Sequence, residues 1–323
     1  YLVRGDRVRY MECTRSVADY RGCLELEAAF YSPPRVVAEI GCNHKGDLEI
    51  AHQFIKVARN FCGVSYVKFQ KRTPKELLSP EEYNAPHPVP ENSYGRTYGE
   101  HRERLEFGAE QHRILKQWCE EEGLVYACSV WDMTAAREIV ALNPEYIKVP
   151  SATNTNHDVL RYLCDNYGGA IHMSLGMTTR REEEAAVEIF RQKGRLADLV
   201  LYACTSGYPI PFEEAYLLEI VRLRETYGGE VAAIGYSGHH LGIAADVAAY
   251  TLGATWIERH FTLDRTWKGT DHAASLEPDG LRRLVRDLQH VYLALRYRDT
   301  EISPIEEAQR KKLKWQRTTV QTP

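Results

Sequence analysis

No apolar run in the 323 residues approaches the roughly 20 that a membrane-spanning helix needs. The opening segment, Tyr1-Leu2-Val3-Arg4-Gly5-Asp6, has no apolar core of the secretory kind. There is no surplus of basic charge: the net charge is −4, which argues against general nucleic-acid binding and confines any lysine cluster to a local pocket. The eight cysteines (13, 23, 42, 62, 119, 128, 164 and 204) form no CxxC and no dense framework, and several sit in apolar runs. They read as buried free thiols of a cytoplasmic protein rather than as disulfides. No GxGxxG opens a helix after the first strand, so a dinucleotide-binding fold lacks its fingerprint.

What is there is a rhythm. Hydrophobic residues at 44% and charged residues at 27% suit a globular chain with a sizeable core. Short β-rich runs are predicted at 36–41, 66–70, 124–131, 146–151, 170–176, 199–206, 231–238 and 256–262. Amphipathic stretches of helix length separate them, at 48–62, 109–122, 133–141, 157–167, 180–193, 212–227 and 242–252, and 278–296 follows the last. Near-continuous apolar strands alternating with helices predict a parallel sheet covered by helices. Eight such units fit an α/β fold of the closed (β/α)8 TIM-barrel type better than an open sheet. The predicted organisation is an N-terminal extension at 1–35, the barrel at 36–300 and a C-terminal helix or tail at 301–323. Residues 71–108, after strand two, greatly exceed an ordinary connection and read either as an active-site lid or as a surface loop packed on the rim.

Polar residues at the C-terminal ends of the strands carry the chemistry, because burying them there costs free energy unless something pairs with them. The ring comprises Glu39, Lys68, Gln70, Ser129, Asp132, Lys148, Ser151, His172, Ser174, Ser206, Tyr208, Ser237, His239, Glu258 and His260. Lys68 and Lys148, with Ser151, Ser174 and Ser237, make an anion site suited to phosphate and carboxylate. His239 and His260 make a candidate pair of imidazole ligands for a divalent ion, with Glu39 and Asp271 placed to hold its waters. Taken singly, either lysine reads as an ion-pair partner and either histidine as a core or rim residue. His240 competes with His239, since only one of two neighbours can face the barrel axis.

At these residues the sequence resembles the sialic acid synthase (N-acetylneuraminate synthase) family, including the legionaminic and pseudaminic acid synthases. The resemblance lies in AEIGCNHKGD (38–47), YVKFQ (66–70), YIKVPSATNTN (146–156), SLGM (174–177), CTSGYPIPFEE (204–214), IGYSGHH (234–240), IERHFTLDR (257–265) and KGTDHAASLEP (268–278). It implies a metal-dependent condensation of phosphoenolpyruvate with an aldehyde sugar, N-acylmannosamine-like, with phosphate released by C–O cleavage. It also implies a phosphoenolpyruvate site of Lys68, Gln70, Lys148, Ser151, Ser174 and Ser237, with Ser206 and Tyr208 touching phosphate and substrate. His239 and His260 would ligate the metal, Mn²⁺ foremost, with Mg²⁺, Co²⁺ and Zn²⁺ as alternatives. Glu39 would handle protons, and Asp271 would hold metal-bound water or the sugar. The expected assembly is a homodimer with neither nucleic-acid nor membrane partner.

Two departures stand out. Thr153 occupies a position, two after the strand-four serine, where some relatives are acidic. Most relatives also continue into an antifreeze-like domain that lends an arginine to the partner's site, and the expectation here is a chain without it. Arg96 and Arg102 of the 71–108 lid are predicted to take that arginine's role in binding the sugar. The competing readings are a condensation with a non-acylated sugar or nucleoside aldehyde, a Schiff-base aldolase, and a non-catalytic sugar-binding barrel. Two lysines facing an anion disfavour the aldolase, which needs one neutral amine.

Overall fold

The computed structural model describes residues 31–315, so Cys13, Cys23 and nearly all of the predicted extension at 1–35 lie outside the described residues. One compact unit spans Ser32–Tyr292. Its eight strands are β1 (Arg35–Gly41), β2 (Tyr66–Lys71), β3 (Val125–Val130), β4 (Tyr146–Val149), β5 (Ala170–Ser174), β6 (Leu199–Cys204), β7 (Ala233–Gly238) and β8 (Trp256–His260). Each pairs in parallel with the next, and β8 returns to β1, closing the predicted barrel.

Successive side chains on a strand face opposite sides, so residues two apart share the interior. Along the interior the chemistry changes in step. Val37, Ala127, Tyr146, Val200, Tyr202 and Trp256 fill the bottom as one apolar cluster. Glu39, Lys68, Lys148 and Glu258 follow two residues further along their strands, all buried. Gly235 leaves room for a large neighbour, since a Cβ there would stand 2.7 Å from the Tyr202 ring.

Helices cover the strands as the apolar periodicity predicts, with two differences. The 48–62 stretch is α-helical only over Leu48–Val57, capped by Asp47, and widens into a π turn at Ala58–Cys62. The 212–227 stretch divides into a short turn at Phe212–Glu214 and a helix at Leu218–Tyr227. Tyr216 between them sits at φ 42°, a left-handed conformation that a continuous helix cannot contain. Beyond the barrel unit, helix Pro304–Leu313 opens on a Ser303–Glu306 capping box. Among the described residues no helix is long and apolar enough to cross a membrane.

The connection after β2 is built rather than loose. It carries helices Pro74–Leu77, Pro80–Asn84 and Tyr98–Arg104, and a short turn at Pro90–Asn92. Three of these four begin with proline, which suits a first helical position whose N–H has no partner anyway. Its two ends are clasped together: the Arg72 N–H donates to Glu106 at 2.9 Å and Lys71 Nζ to the Phe107 carbonyl at 3.2 Å. Thr73 Oγ1 donates to Asp132 at 3.0 Å, so Asp132 anchors the connection instead of entering the site.

Candidate active site

A cavity of about 430 Å³ opens at the C-terminal ends of the strands. Its walls include Glu39, Lys68, Gln70, Lys148, Ser151, Ser174, Ser206, Tyr208, Ser237, His239, His260 and Asp271, whereas Asp132 and His172 of the predicted polar ring are not among them. The connection after β2 contributes His87, Tyr98, His101, Arg102 and Leu105 to the same walls, as a lid requires. Arg96 is not brought there. Its side chain is 91% exposed and pairs with Glu100 at 3.0 Å, so the expectation that it binds substrate is corrected.

The two lysines are close neighbours but not free cations. Lys68 forms an ion pair with Glu39, both partners being buried. It also donates to Ser129 Oγ at 2.7 Å. Lys148 Nζ lies 2.7 Å from Glu258 Oε1 and 3.8 Å from the centre of the Tyr202 ring. The same Glu258 oxygen is 3.7 Å from Lys68 Nζ and accepts from Ser237 Oγ at 3.2 Å, so one carboxylate oxygen joins both ammonium groups. Glu258 was read as one of the polar ring, yet its part in balancing the anion site was not foreseen.

The two carboxylates are held in opposite protonation preferences. Burial pushes Glu39 up to about 7, against the pull of Lys68. Burial acts on Glu258 too, but Lys148 and Lys68 outweigh it and hold that group down, at about 2. Lys148 itself is lowered from its ordinary value by burial.

Across the cavity, the His239 and His260 rings lie 5.4 Å apart between centres. His239 Nδ1–H donates to the Thr205 carbonyl at 2.7 Å, and the neighbouring Cys204 outweighs burial and raises this ring above its ordinary value. Burial lowers His260 to about 4, keeping it a neutral ring. Its Nδ1 is buried without a hydrogen bond and lies 3.9 Å from Asp271 Oδ2. Two imidazole rings with a carboxylate near one of them make a donor set that fits a divalent ion. No three His, Cys, Asp or Glu side chains converge into a full ligand set among the described residues, so water or substrate oxygens would complete the sphere. His240 turns the other way, buried with Arg259 and Asp246, which resolves the choice between the neighbouring histidines. His172 belongs to the barrel bottom, stacked on Tyr146 with ring centres 3.9 Å apart.

Several cavity residues escaped the sequence reading: Cys42, Arg72, Trp131, Cys204 and Thr270, besides His87 and Tyr98 of the lid. Arg72 had a signal, since Lys68, Gln70 and Arg72 continue one alternation past the strand end. The six cysteines among the described residues are free, as expected, but only Cys62, Cys119, Cys128 and Cys164 are buried, while Cys42 and Cys204 are partly exposed at the cavity.

With this geometry in place, similarity to known proteins is informative. A family model described as the NeuB family matches residues 54–299. The chain belongs to the NeuB family. It is 37% identical to N-acetylneuraminate-9-phosphate synthase of Homo sapiens, over 87% of this chain and 76% of the human protein. It is 31% identical to N,N'-diacetyllegionaminic acid synthase of Campylobacter jejuni, over 80% of this chain and 77% of that one. Among solved structures, N-acetylneuraminic acid synthetase of Leptospira borgpetersenii, in complex with citrate, superposes with a TM-score of 0.74 at 28% identity. That match covers 87% of this chain and 93% of the other. The family resemblance read from the sequence motifs is borne out.

Proposed function

We propose that this NeuB-family protein condenses phosphoenolpyruvate with the aldehyde carbon of an N-acylmannosamine-like sugar, giving a nonulosonic acid and free phosphate. The observation that carries the reading is the balanced cluster of Lys68, Lys148, Glu39 and Glu258 sharing one cavity with His239 and His260. The relatives' names supply the reaction class: they are synthases of sialic and legionaminic acids.

The residues divide the work. Lys68 and Lys148, with Ser151, Ser174 and Ser237, hold the phosphate and carboxylate of phosphoenolpyruvate, and Gln70 and Ser206 add donors. Tyr208, whose ring lies 4.4 Å from His239, packs beside the aldehyde end of the sugar. C3 of phosphoenolpyruvate bonds to the aldehyde carbon, whose oxygen gains a proton. Water then adds at C2, and the C2–O bond to phosphate breaks as the ketone forms. Glu39, raised toward neutrality, exchanges protons with that water or with the new hydroxyl. A divalent ion held by His239 and His260, with Asp271 on its water, would supply Lewis-acid polarisation of the aldehyde; Mn²⁺ is our first choice over Mg²⁺, Co²⁺ and Zn²⁺. We also assign the protein to the cytoplasm and to a homodimer.

The test is phosphate release with mass spectrometry of the product, over acylated, diamino and plain aldose acceptors, with chelation and readdition of Mn²⁺. A nonulosonic acid from an acylated acceptor supports the reading. Phosphate release only with a non-acylated aldehyde would replace it, and none with any acceptor would leave a sugar-binding barrel. The relatives' names differ on one point: the human product carries a phosphate at position 9 and the Campylobacter product does not.

A further inference from the structure

The ladder between β7 and β8 stops one residue short of the two histidines that face each other across the cavity. Its last pair is Gly238 with Arg259, and His239 and His260 come next along the chain on the two sides. His260 stays in the sheet: it pairs with Glu39 of β1, and its carbonyl accepts from the Leu276 N–H at 2.8 Å. His239 has left the sheet. Its ring and its carbonyl are held from the connection after β6, by the Thr205 carbonyl at 2.7 Å and the Ile210 N–H at 3.1 Å. Backbone pairing thus ties each histidine to a different neighbour.

What spans the gap is a side chain. Arg259 immediately precedes His260, and strand alternation turns it away from the interior that Glu258 and His260 share. It is fully buried. Its Nη2 donates to the His240 carbonyl at 2.6 Å and its Nη1 to the Gly242 carbonyl at 2.7 Å, so the residue before one histidine grips the residue after the other. Gly242 supplies the left-handed backbone, φ 78°, with which the chain turns from β7 into helix Ala244–Thr251. Asp246 in the first turn of that helix, also fully buried, accepts from Nη1 at 2.5 Å and locks the guanidinium. The pair is not there for stability alone. Buried ion pairs contribute little net, and here Arg259 Nε and Asp246 Oδ1 lack hydrogen-bond partners among the described residues, which adds to the desolvation cost. A planar fork does what a single ammonium cannot: it holds two carbonyls at a fixed spacing.

We propose that Arg259, locked by Asp246, is a positioning residue that sets the separation of His239 and His260, so that both imidazoles reach one divalent ion. The ring centres lie 5.4 Å apart, and this brace is what joins the strand end of one to the strand end of the other. The inference rests on the metal assignment made above. Arg259 is not among the cavity walls, so it touches neither substrate nor ion, and its effect travels through the backbone of the two histidines. Metal-ligating imidazoles depend on such outer contacts for their orientation.

Mn²⁺ binding to the purified, chelator-treated protein is measured by electron paramagnetic resonance with no substrate present. Arg259→Lys keeps the charge beside Asp246 but loses the fork, and should weaken Mn²⁺ binding about ten- to hundredfold. Asp246→Asn keeps the size and one acceptor oxygen, and should weaken it about tenfold; it carries the test where Arg259→Lys fails to fold. At saturating Mn²⁺ the KM of phosphoenolpyruvate should stay within about twofold of wild type in both variants, because the lysine cluster is untouched. His172→Phe at the barrel bottom is the control for general loosening: it should lower the urea midpoint and leave the Mn²⁺ affinity unchanged. An equal loss of affinity in His172→Phe overturns the inference. So does an unchanged affinity in the folded variants, which leaves the metal assignment standing. A wild type that binds no Mn²⁺ ends the metal assignment and the inference together.

Discussion

The bottom and the mouth of the barrel come from the same eight strands, two residues apart, yet they treat buried polar groups in opposite ways. At the bottom, His172 lies among Tyr146, Tyr202 and Trp256, far below its ordinary pKa because burial excludes the charged form. His172 Nδ1 and the Tyr202 hydroxyl share a hydrogen bond at 2.9 Å, while His172 Nε2 and the Tyr146 hydroxyl are buried without a partner among the described residues. One layer up, four ionisable groups are kept charged or nearly so by facing one another. The bottom avoids charge, whereas the mouth balances it. A buried ion pair gives little net stability, so its retention in the mouth is better explained by what it binds.

The contrast predicts unequal costs. Glu258→Gln keeps the shape of the mouth but leaves Lys148 and Lys68 short of a counter-charge. Unfolding in urea should show a loss of about 3–5 kcal/mol, the usual result of breaking a buried pair on one side. A loss near zero would mean the mouth is wet enough to solvate its own lysines. Lys148→Met should lower kcat by about a hundredfold or more, as expected for removing a preorganised cation from an anion's path. Steady-state kinetics on the same preparation would show it, and an unchanged kcat would remove Lys148 from the chemistry.

The carboxylates of the mouth give the comparison a pH signature. Glu39 is raised in the fold, so it binds its proton more tightly there than in the unfolded chain. Its contribution to stability is therefore complete below the unfolded value of 4.5 and is lost as pH rises to about 7. Glu258 is depressed, so its contribution is present above 4.5 and is lost as pH falls toward about 2. Glu39→Gln should flatten the first slope and leave the second. Urea midpoints between pH 4.5 and 7 check it, and a slope surviving in Glu39→Gln would place the titration elsewhere. At the bottom, His172→Phe made together with Tyr202→Phe removes the hydrogen bond along with both its partners. That double change should cost under about 1.5 kcal/mol by denaturant unfolding.

How legible these regions were in the sequence follows from the same physics. The eight strands were legible because each is apolar, short and bounded, and the inward positions of the mouth because alternation puts Lys68 with Gln70 and Glu258 with His260 on one face. What the sequence concealed was pairing. Lys148 and Glu258 are 110 residues apart, and only barrel closure brings them to 2.7 Å. The lid was legible as a long proline-rich segment but not in its orientation. Nothing in the spacing of Arg96 and Arg102 says that one pairs with Glu100 in solvent while the other faces the cavity.

Those two arginines give the smallest expected effect. Arg96 is held by Glu100 four residues on, through both its backbone N–H at 2.8 Å and its guanidinium at 3.0 Å. The backbone bond survives truncation of the side chain, so the start of helix Tyr98–Arg104 keeps its Thr97 cap and its geometry. An exposed pair one helical turn apart is screened by water and contributes little. Arg96→Ala should therefore leave the KM of either substrate within about twofold of wild type. If steady-state kinetics instead showed a large rise in acceptor KM, the lid would have to close further than this geometry, carrying Arg96 inward. The boundary between a charge-balancing mouth and its solvent-facing rim would then lie outside Arg96, and no longer between it and Arg102.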